Sequence, residues 1–321
     1  MSLKIGYFGS PSHSKDLLED LVESGFQISF VVTNIDKPVG RKQILTETPV
    51  KEFAKRKGIP VFQSERLRTD TTIQDEILNQ EADIHLVYAY GSIIPDRIFL
   101  APKHRSINLH GSLLPKYRGA SPVQSAILNG EKSSGFSIQY LATEVDSGDL
   151  IFSKEIEIQK EDTTESFLHK ITLEGGLVLK NLLLGLGNTG TLPMASPQDH
   201  SKATHCKKIR SENRPIDWSK TRDQIHNQIR ALYPDPLATT EFRGKRVVIL
   251  SSFLPTEEES KVGLGSSPMG SFFLVGKKRL FSVCGDGNLL GIESLVPEGK
   301  KPMKGFEFFN GARVNTGDTF T

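Results

Sequence analysis

The sequence predicts an α/β protein with a doubly wound, mostly parallel sheet (Rossmann-like) in its N-terminal domain and a smaller C-terminal β-barrel (OB-like) domain. Three observations carry this. Over the first 150 residues short β-rich runs alternate with helical stripes, as in parallel strands joined by crossover helices. From 185 to 204 the chain is rich in Gly, Pro, Ser and Thr and lacks a periodic apolar face. Beyond it, short strand-like runs separated by glycine-containing turns have the spacing of a small barrel of the kind that binds oligonucleotides. A chain of 321 residues also exceeds one comfortable core. The expected division is a domain over 1–190, a linker over 191–205 and a domain over 206–321.

Strands are expected at 3–8, 28–33, 60–62, 84–88, 106–109 and 136–141. Leu17, Leu18, Leu21 and Val22 form an apolar stripe at helical spacing, which predicts a helix over 14–24 stopped by Gly25. Thr48 suits a cap, Pro49 the first helical position and Gly58 a left-handed stop before Pro60, so 49–57 is helical. Ser121-Pro122-Val123-Gln124 has capping-box spacing, with Gly130 closing that helix. A longer helix begins near 162–165 and runs to about 184. In the C-terminal part, a helix over 219–232 precedes strands at 246–250, 271–275, 280–284 and 289–296.

Composition narrows the function. No run approaches the roughly 18–20 apolar residues of a membrane helix, which excludes a membrane span. The N-terminus enters a strand pattern directly without a signal-peptide pattern, so a cytoplasmic location is expected. Cys206 and Cys284 lack a CxxC partner, and His205 beside Cys206 makes a single pair, so no metal is expected. Net charge is +2, yet 206–321 holds 18 Lys and Arg against 13 Asp and Glu, an excess that suits a polyanionic partner. The turn Gly6-Tyr7-Phe8-Gly9-Ser10-Pro11 lacks GxGxxG spacing, which argues against a nicotinamide cofactor.

The chemistry concentrates in Ile107-Asn108-Leu109-His110-Gly111-Ser112-Leu113-Leu114-Pro115. Strand alternation puts Asn108 and His110 on one face, at the carboxyl end of a parallel strand where doubly wound folds bind ligands. An amide there can donate to an oxygen gaining negative charge, and an imidazole can manage protons near neutral pH. Spacing alone equally suits a polar cap on a sheet edge. The acidic loop Thr143-Glu144-Val145-Asp146-Ser147-Gly148-Asp149 can bring Asp146 to orient or ionise His110, or can be an ordinary Asx turn.

Asn108, His110, Ser112-Leu113-Leu114-Pro115, Arg118-Gly119-Ala120, Pro122 and Asp146-Ser147-Gly148-Asp149 together resemble the folate-dependent formyltransferase family. The resemblance implies Asn108, His110 and Asp146 as the catalytic set and 10-formyltetrahydrofolate as formyl donor, without a metal. It implies folate binding by Tyr90, Gly91 and Ile94 in the loop 89–95 and by Ser112, Leu113, Leu114 and Pro115. The acceptor is implied by other segments. Asp36-Lys37-Pro38-Val39-Gly40-Arg41 leading to Thr48-Pro49-Val50-Lys51 is similar to the exposed loop that members acting on methionyl-tRNA place against the acceptor stem. Ile216-Asp217-Trp218-Ser219, Pro234-Asp235-Pro236 and Gly299-Lys300-Lys301-Pro302-Met303 resemble their C-terminal landmarks. The implied partner is initiator methionyl-tRNA, contacted by Arg41, Lys42, Lys207, Lys208 and Arg210, with no protein partner required. A sugar-amine acceptor, or an RNA-binding protein with a vestigial catalytic domain, are the competing readings.

Overall fold

The computed structural model describes residues 3–40, 42–261, 267–276, 278–315 and 318–321. The chain divides into two compact units. One comprises Met1–Pro122, Ser134–Ile156 and Leu168–Cys206; the other comprises Val123–Ser133, Glu157–Phe167 and Lys207–Thr321.

In the first unit the chain runs β1 (Lys4–Gly9), α1 (Ser12–Glu23), β2 (Gln27–Thr33), a hairpin of β3 (Lys37–Val39) and β4 (Ile44–Thr46), α2 (Pro49–Arg56), β5 (Val61–Gln63) and α3 (Thr71–Leu78). It continues through β6 (Ile84–Tyr88), α4 (Asp96–Phe99), β7 (Ser106–His110) and the short β8 (Arg118–Gly119). The chain then passes into the second unit for α5 (Pro122–Leu128), returns to the first for β9 (Ser133–Tyr140) and β10 (Leu150–Glu157), enters the second again for the first turn of the long α6 (Thr164–Thr189), and completes the first with the rest of α6 and β11 (His205–Cys206). The main sheet has the order β10-β9-β7-β6-β1-β2-β5. β5, β2, β1, β6 and β7 are parallel, and β9 joins β7 antiparallel.

Central strands covered on both faces need apolar residues at consecutive positions, and β6 is buried along its whole length. Phe8, Phe30, Val32, Val87, Tyr90, Ile94, Ile98 and Phe99 share one core cluster beside the sheet. Helix α2 starts as its sequence predicts, with the Thr48 side chain accepting from the Lys51 N–H at 3.2 Å and Pro49 in the first turn.

Two segments depart from their sequence reading. Helix α6 continues five residues past 184 to Thr189. Gly185 and Gly187 have open space around them, and burial of Leu183 and Leu186 at 1% and 2% exposure offsets the roughly 1 kcal/mol that each helical glycine costs. The stretch 191–205 is fastened to the first unit: Leu150 and Ser196 exchange backbone bonds at 2.8 and 2.9 Å, and β11 pairs in parallel with β8.

In the second unit α7 (Arg222–Ala231), capped by Thr221 and Gln224, precedes β12 (Ala238–Phe242), β13 (Lys245–Phe253), β14 (Phe272–Val275), β15 (Arg279–Val283), β16 (Leu289–Pro297), β17 (Met303–Lys304) and α8 (Gly305–Gly311). The antiparallel order is β12-β13-β16-β15-β14, with β17 on β16. Thr321 exchanges backbone bonds with Glu241 of β12, and Thr319 bridges to Ser271 beside β14, so residues 319–321 connect the two free edges into a ring. Inside it Trp218 stacks on Phe320 at 5.4 Å and donates to Thr240 Oγ1 at 2.9 Å. No helix of the described residues is long and apolar enough to cross a membrane.

One core group makes stability depend on pH. His85, 3% exposed between the Phe8 and Phe30 rings, has its pKa pushed down to about 3 by burial. The unfolded chain therefore takes up a proton below about pH 6.5 that the folded chain refuses. Stability is fully present above that value and falls as the pH drops towards 3, by about 2 kcal/mol at pH 5 from this residue. Urea midpoints at pH 7.5 and 5.0 measure the loss, and His85→Leu should flatten it; an equal slope in that variant would contradict the assignment.

Candidate active site

Strand β7 carries the first two residues. Its register against β9 sets Asn108 opposite Gln139 and His110 opposite Ser137, and residues directly opposite in an antiparallel pair share a face. Because Asn108 and His110 are two apart on one strand, all four polar side chains project from one side of the sheet. β7 ends at His110. Since β2, β6 and β7 run in the same direction, the segments that follow them, the β3–β4 hairpin, the loop 89–95 and the loop 111–117, leave from one edge.

The third residue arrives on the turn between β9 and β10. Asp146 has a left-handed backbone, φ +55°, which aspartate tolerates better than most residues. At Gly148 a Cβ would lie 1.9 Å from the Tyr140 carbonyl oxygen, so glycine alone lets the turn fold back onto β9. The Asp146 carboxylate, 12% exposed, then receives groups on both oxygens. Oδ1 accepts from Gln139 Nε2 at 3.0 Å and more weakly from Asn108 Nδ2 at 3.5 Å. Oδ2 accepts from the Gly119 N–H at 2.8 Å and lies 3.5 Å from His110 Nδ1.

These distances assign different freedoms to the two catalytic candidates. A 3.5 Å contact is at the limit of hydrogen bonding, so the Asn108 amide is lightly held and has donor capacity for another oxygen. His110, 6% exposed, also faces the Tyr117 carbonyl through Nε2 at 2.9 Å. Reaching a substrate atom through Nε2 requires exchanging that bond.

Behind the carboxylate lies a buried polar layer. Arg118, 2% exposed, donates to Gln198 Oε1 from Nε at 3.2 Å and Nη2 at 2.7 Å, and its Nη2 is 3.0 Å from His200 Nδ1. Gln198 Nε2 in turn faces Gln139 Oε1 at 3.1 Å and the carbonyls of Asp146 and Gly148 at 3.0 and 2.7 Å.

The structure thus brings Asn108, His110 and Asp146 together. Ser112 and Leu114, expected at the folate site, are buried and locked: Ser112 Oγ donates to the Lys116 carbonyl at 2.6 Å, and the Leu114 N–H to Ser137 Oγ at 3.0 Å. Leu113 and Pro115 beside them are half-buried. Tyr90 and Ile94 turn their side chains into the core, leaving Gly91, with φ +77°, Ser92 and Ile93 exposed. Asn34 steadies that loop, donating to the Tyr90 carbonyl at 2.7 Å and accepting from Ser92 Oγ at 2.7 Å.

Lys42 is exposed on the hairpin, whose base is held by Lys51 to Asp36 at 2.7 Å and Gln63 Nε2 to Asp36 Oδ1 at 2.9 Å. Those bonds, Gln63 first and then Lys51, hold the Asp36 carboxyl below its usual range. Arg41 lies outside the described residues. Lys207, Lys208 and Arg210 are exposed in the second unit, whereas Arg214 is half-buried and donates to the Leu237 carbonyl at 3.0 Å. Among the described residues no group of three His, Cys, Asp or Glu side chains is placed to hold a metal ion.

Sequence reasoning missed Gln139 and Gln198. Gln139 had a partial signal: Ser137 and Gln139 alternate with Phe136 and Ile138 in a strand already expected and so share one face, which the register against β7 makes the face of Asn108. Gln198 had none, lying in an aperiodic polar stretch.

Comparison with known proteins identifies the family of the chain. The formyl transferase profile matches residues 3–181, and the formyl transferase C-terminal domain profile matches 208–313. The chain is 44% identical to a methionyl-tRNA formyltransferase of Leptospira interrogans, over 99% of this chain and 100% of that one. It is 36% identical to a methionyl-tRNA formyltransferase of Bacillus subtilis, over 98% and 96%. Among solved structures, WlaRD, a sugar 3N-formyl transferase crystallised with dTDP and 5-N-formyl-THF, superposes with a TM-score of 0.66 at 22% identity, covering 94% of this chain and all of that one. HypX from Aquifex aeolicus in complex with tetrahydrofolic acid superposes with a TM-score of 0.65 at 16% identity, covering 97% of this chain and 48% of that one. At those identities the two structures speak for the fold.

Proposed function

The chain belongs to the formyl transferase family, among the methionyl-tRNA formyltransferases, and from that membership we propose that it formylates the free amine of initiator methionyl-tRNA from 10-formyltetrahydrofolate. The observation that carries the chemistry is the convergence of Asn108, His110 and Asp146 at the carboxyl end of β7. The product, N-formylmethionyl-tRNA, serves translation initiation in the cytoplasm.

The methionyl amine attacks the formyl carbon of the folate donor; the new C–N bond forms as the bond from that carbon to the donor's nitrogen breaks, that nitrogen takes up a proton in place of the one the amine loses, and tetrahydrofolate leaves. Asn108 presents an amide donor to the formyl oxygen as it becomes an oxyanion, and His110 adds a second once its bond to Tyr117 is exchanged. Asp146, 3.5 Å from His110 Nδ1, orients the imidazole and helps remove the amine proton, directly or through water. The loop 89–95 suits a flat, hydrogen-bonding ring system, with exposed main chain at Gly91 and Ser92 above an apolar floor of Tyr90 and Ile94. We assign the rest of the folate site to the segment Ser112, Leu113, Leu114 and Pro115, of which Leu113 and Pro115 are half-buried.

We assign tRNA contact to Arg41, to the exposed Lys42 of the hairpin, and to Lys207, Lys208 and Arg210 in the C-terminal part, taken as the domain 206–321. Exposed cations contribute affinity and register through phosphates, without reading bases. Replacing Lys207, Lys208 and Arg210 together by Ala should raise KM for methionyl-tRNA about tenfold at moderate salt and make its salt dependence shallower. KM for the folate donor should stay unchanged. An unaltered salt dependence would remove these residues from the tRNA site.

The function itself is tested by transfer of labelled formyl from 10-formyltetrahydrofolate to initiator methionyl-tRNA, with an amino sugar as parallel acceptor. Label on methionyl-tRNA is expected. Label on the sugar alone would overturn the acceptor assignment, and label on neither would overturn the activity.

A further inference from the structure

We propose that Gln198 is a positioning residue for the Asp146 carboxylate, coupling it to the buried charge of Arg118; the inference rests on the catalytic reading of Asp146 above. The orientation of its amide is set by chemistry. A guanidinium has donors and no acceptor, so the atom facing Arg118 is the oxygen, which leaves the Gln198 NH2 to face oxygens. Gln139 is ordered in the same sense. Its Oε1 faces Gln198 Nε2 and its Nε2 donates to Asp146 Oδ1.

A directional chain results, from Arg118 through two amides to the carboxylate. Hydrogen bonds in such a chain polarise one another in a low-dielectric interior. Arg118, Gln198 and Gln139 are 2%, 5% and 2% exposed, so water competes poorly for these bonds. Gln198 acts on the backbone as well, through the Asp146 and Gly148 carbonyls on either side of the left-handed turn. The same Arg118 precedes Gly119, whose N–H holds the other carboxylate oxygen. Both oxygens of Asp146 therefore trace back to one buried residue, and the 191–205 stretch that supplies Gln198 is part of the site's construction.

Gln198→Glu separates positioning from packing. It preserves size and gives Arg118 a carboxylate partner, yet it puts oxygen against the Asp146 and Gly148 carbonyls and Gln139 Oε1. We expect kcat for formyl transfer to fall about tenfold or more, as loss of sub-ångström placement does. KM for methionyl-tRNA and for the folate donor should stay within about twofold, since ground-state binding is untouched. In an Asp146→Asn background the same substitution should cost nothing further, because its effect passes through that carboxylate. Where Gln198→Glu fails to fold, the apolar Gln198→Met, checked by thermal unfolding, takes its place with the same expectations. An unchanged kcat in a folded variant, or a loss that multiplies with that of Asp146→Asn, overturns the proposal. A readout independent of turnover is the 15N spectrum of histidine-labelled protein. Displacement of Asp146 should move the His110 ring resonances, and their constancy also overturns the proposal. If the wild-type protein transfers no formyl group, the functional reading fails while this spectrum still decides the positioning role.

Discussion

Asn108→Ala and His110→Ala should each lower turnover by about 100-fold or more while leaving the fold intact, the loss typical of removing one donor to a developing oxyanion. Neither side chain supports the core. Asn108 contacts its neighbours through a 3.5 Å bond, and His110 is held at the strand end by Tyr117 and Asp146. Neighbouring β7 positions Ile107 and Leu109 supply the apolar burial instead. Single-turnover rates with saturating methionyl-tRNA, together with far-ultraviolet circular dichroism, test this. Folded variants with near-normal rates would remove both residues from the chemistry. Because the two donors are expected to serve one oxygen, the double variant should lose less than the product of the single losses.

Asp146→Asn is the second large effect, again about 100-fold or more, although the replacement is isosteric. Each carboxylate oxygen faces two groups: Gln139 and Asn108 on one side, the Gly119 N–H and His110 on the other. An amide offers one oxygen, so its NH2 must confront donors whichever way it turns. Either Gln139 and Asn108 or Gly119 and His110 lose their acceptor, and the charge that steadies the imidazole is gone. The variant should be slow throughout pH 6 to 9. A wild-type rate anywhere in that range would show that neither charge nor acceptor geometry at Asp146 matters.

Much of the site could be read from the chain because its logic is local. Asn108 and His110 need only strand periodicity to share a face, and β7 supplies it; the parallel alternation places their strand end where ligands bind. What stayed hidden depends on groups distant in sequence. Gln198 is 59 residues from Gln139, and its role exists only once the stretch after α6 returns to β8 and the Asp146 turn. The polarity that made 191–205 look like a linker is the polarity a buried hydrogen-bond layer requires. Helix α6 passed its glycines for a related reason: Leu183 and Leu186 are paid in tertiary burial that local propensity does not register. The hairpin at 37–46 went unread because each strand is three exposed residues with no inward face to alternate.

Trp218 is the sole tryptophan of the chain and sits deep in the C-terminal unit, 5% exposed against Phe320. Intrinsic emission excited at the red edge therefore views that unit alone, while the residues proposed to carry out formyl transfer belong to the other. The molecule thus carries a built-in pair of reporters, one optical and one enzymatic, on separate halves. A heating experiment that follows both distinguishes concerted melting from sequential melting without any label being introduced.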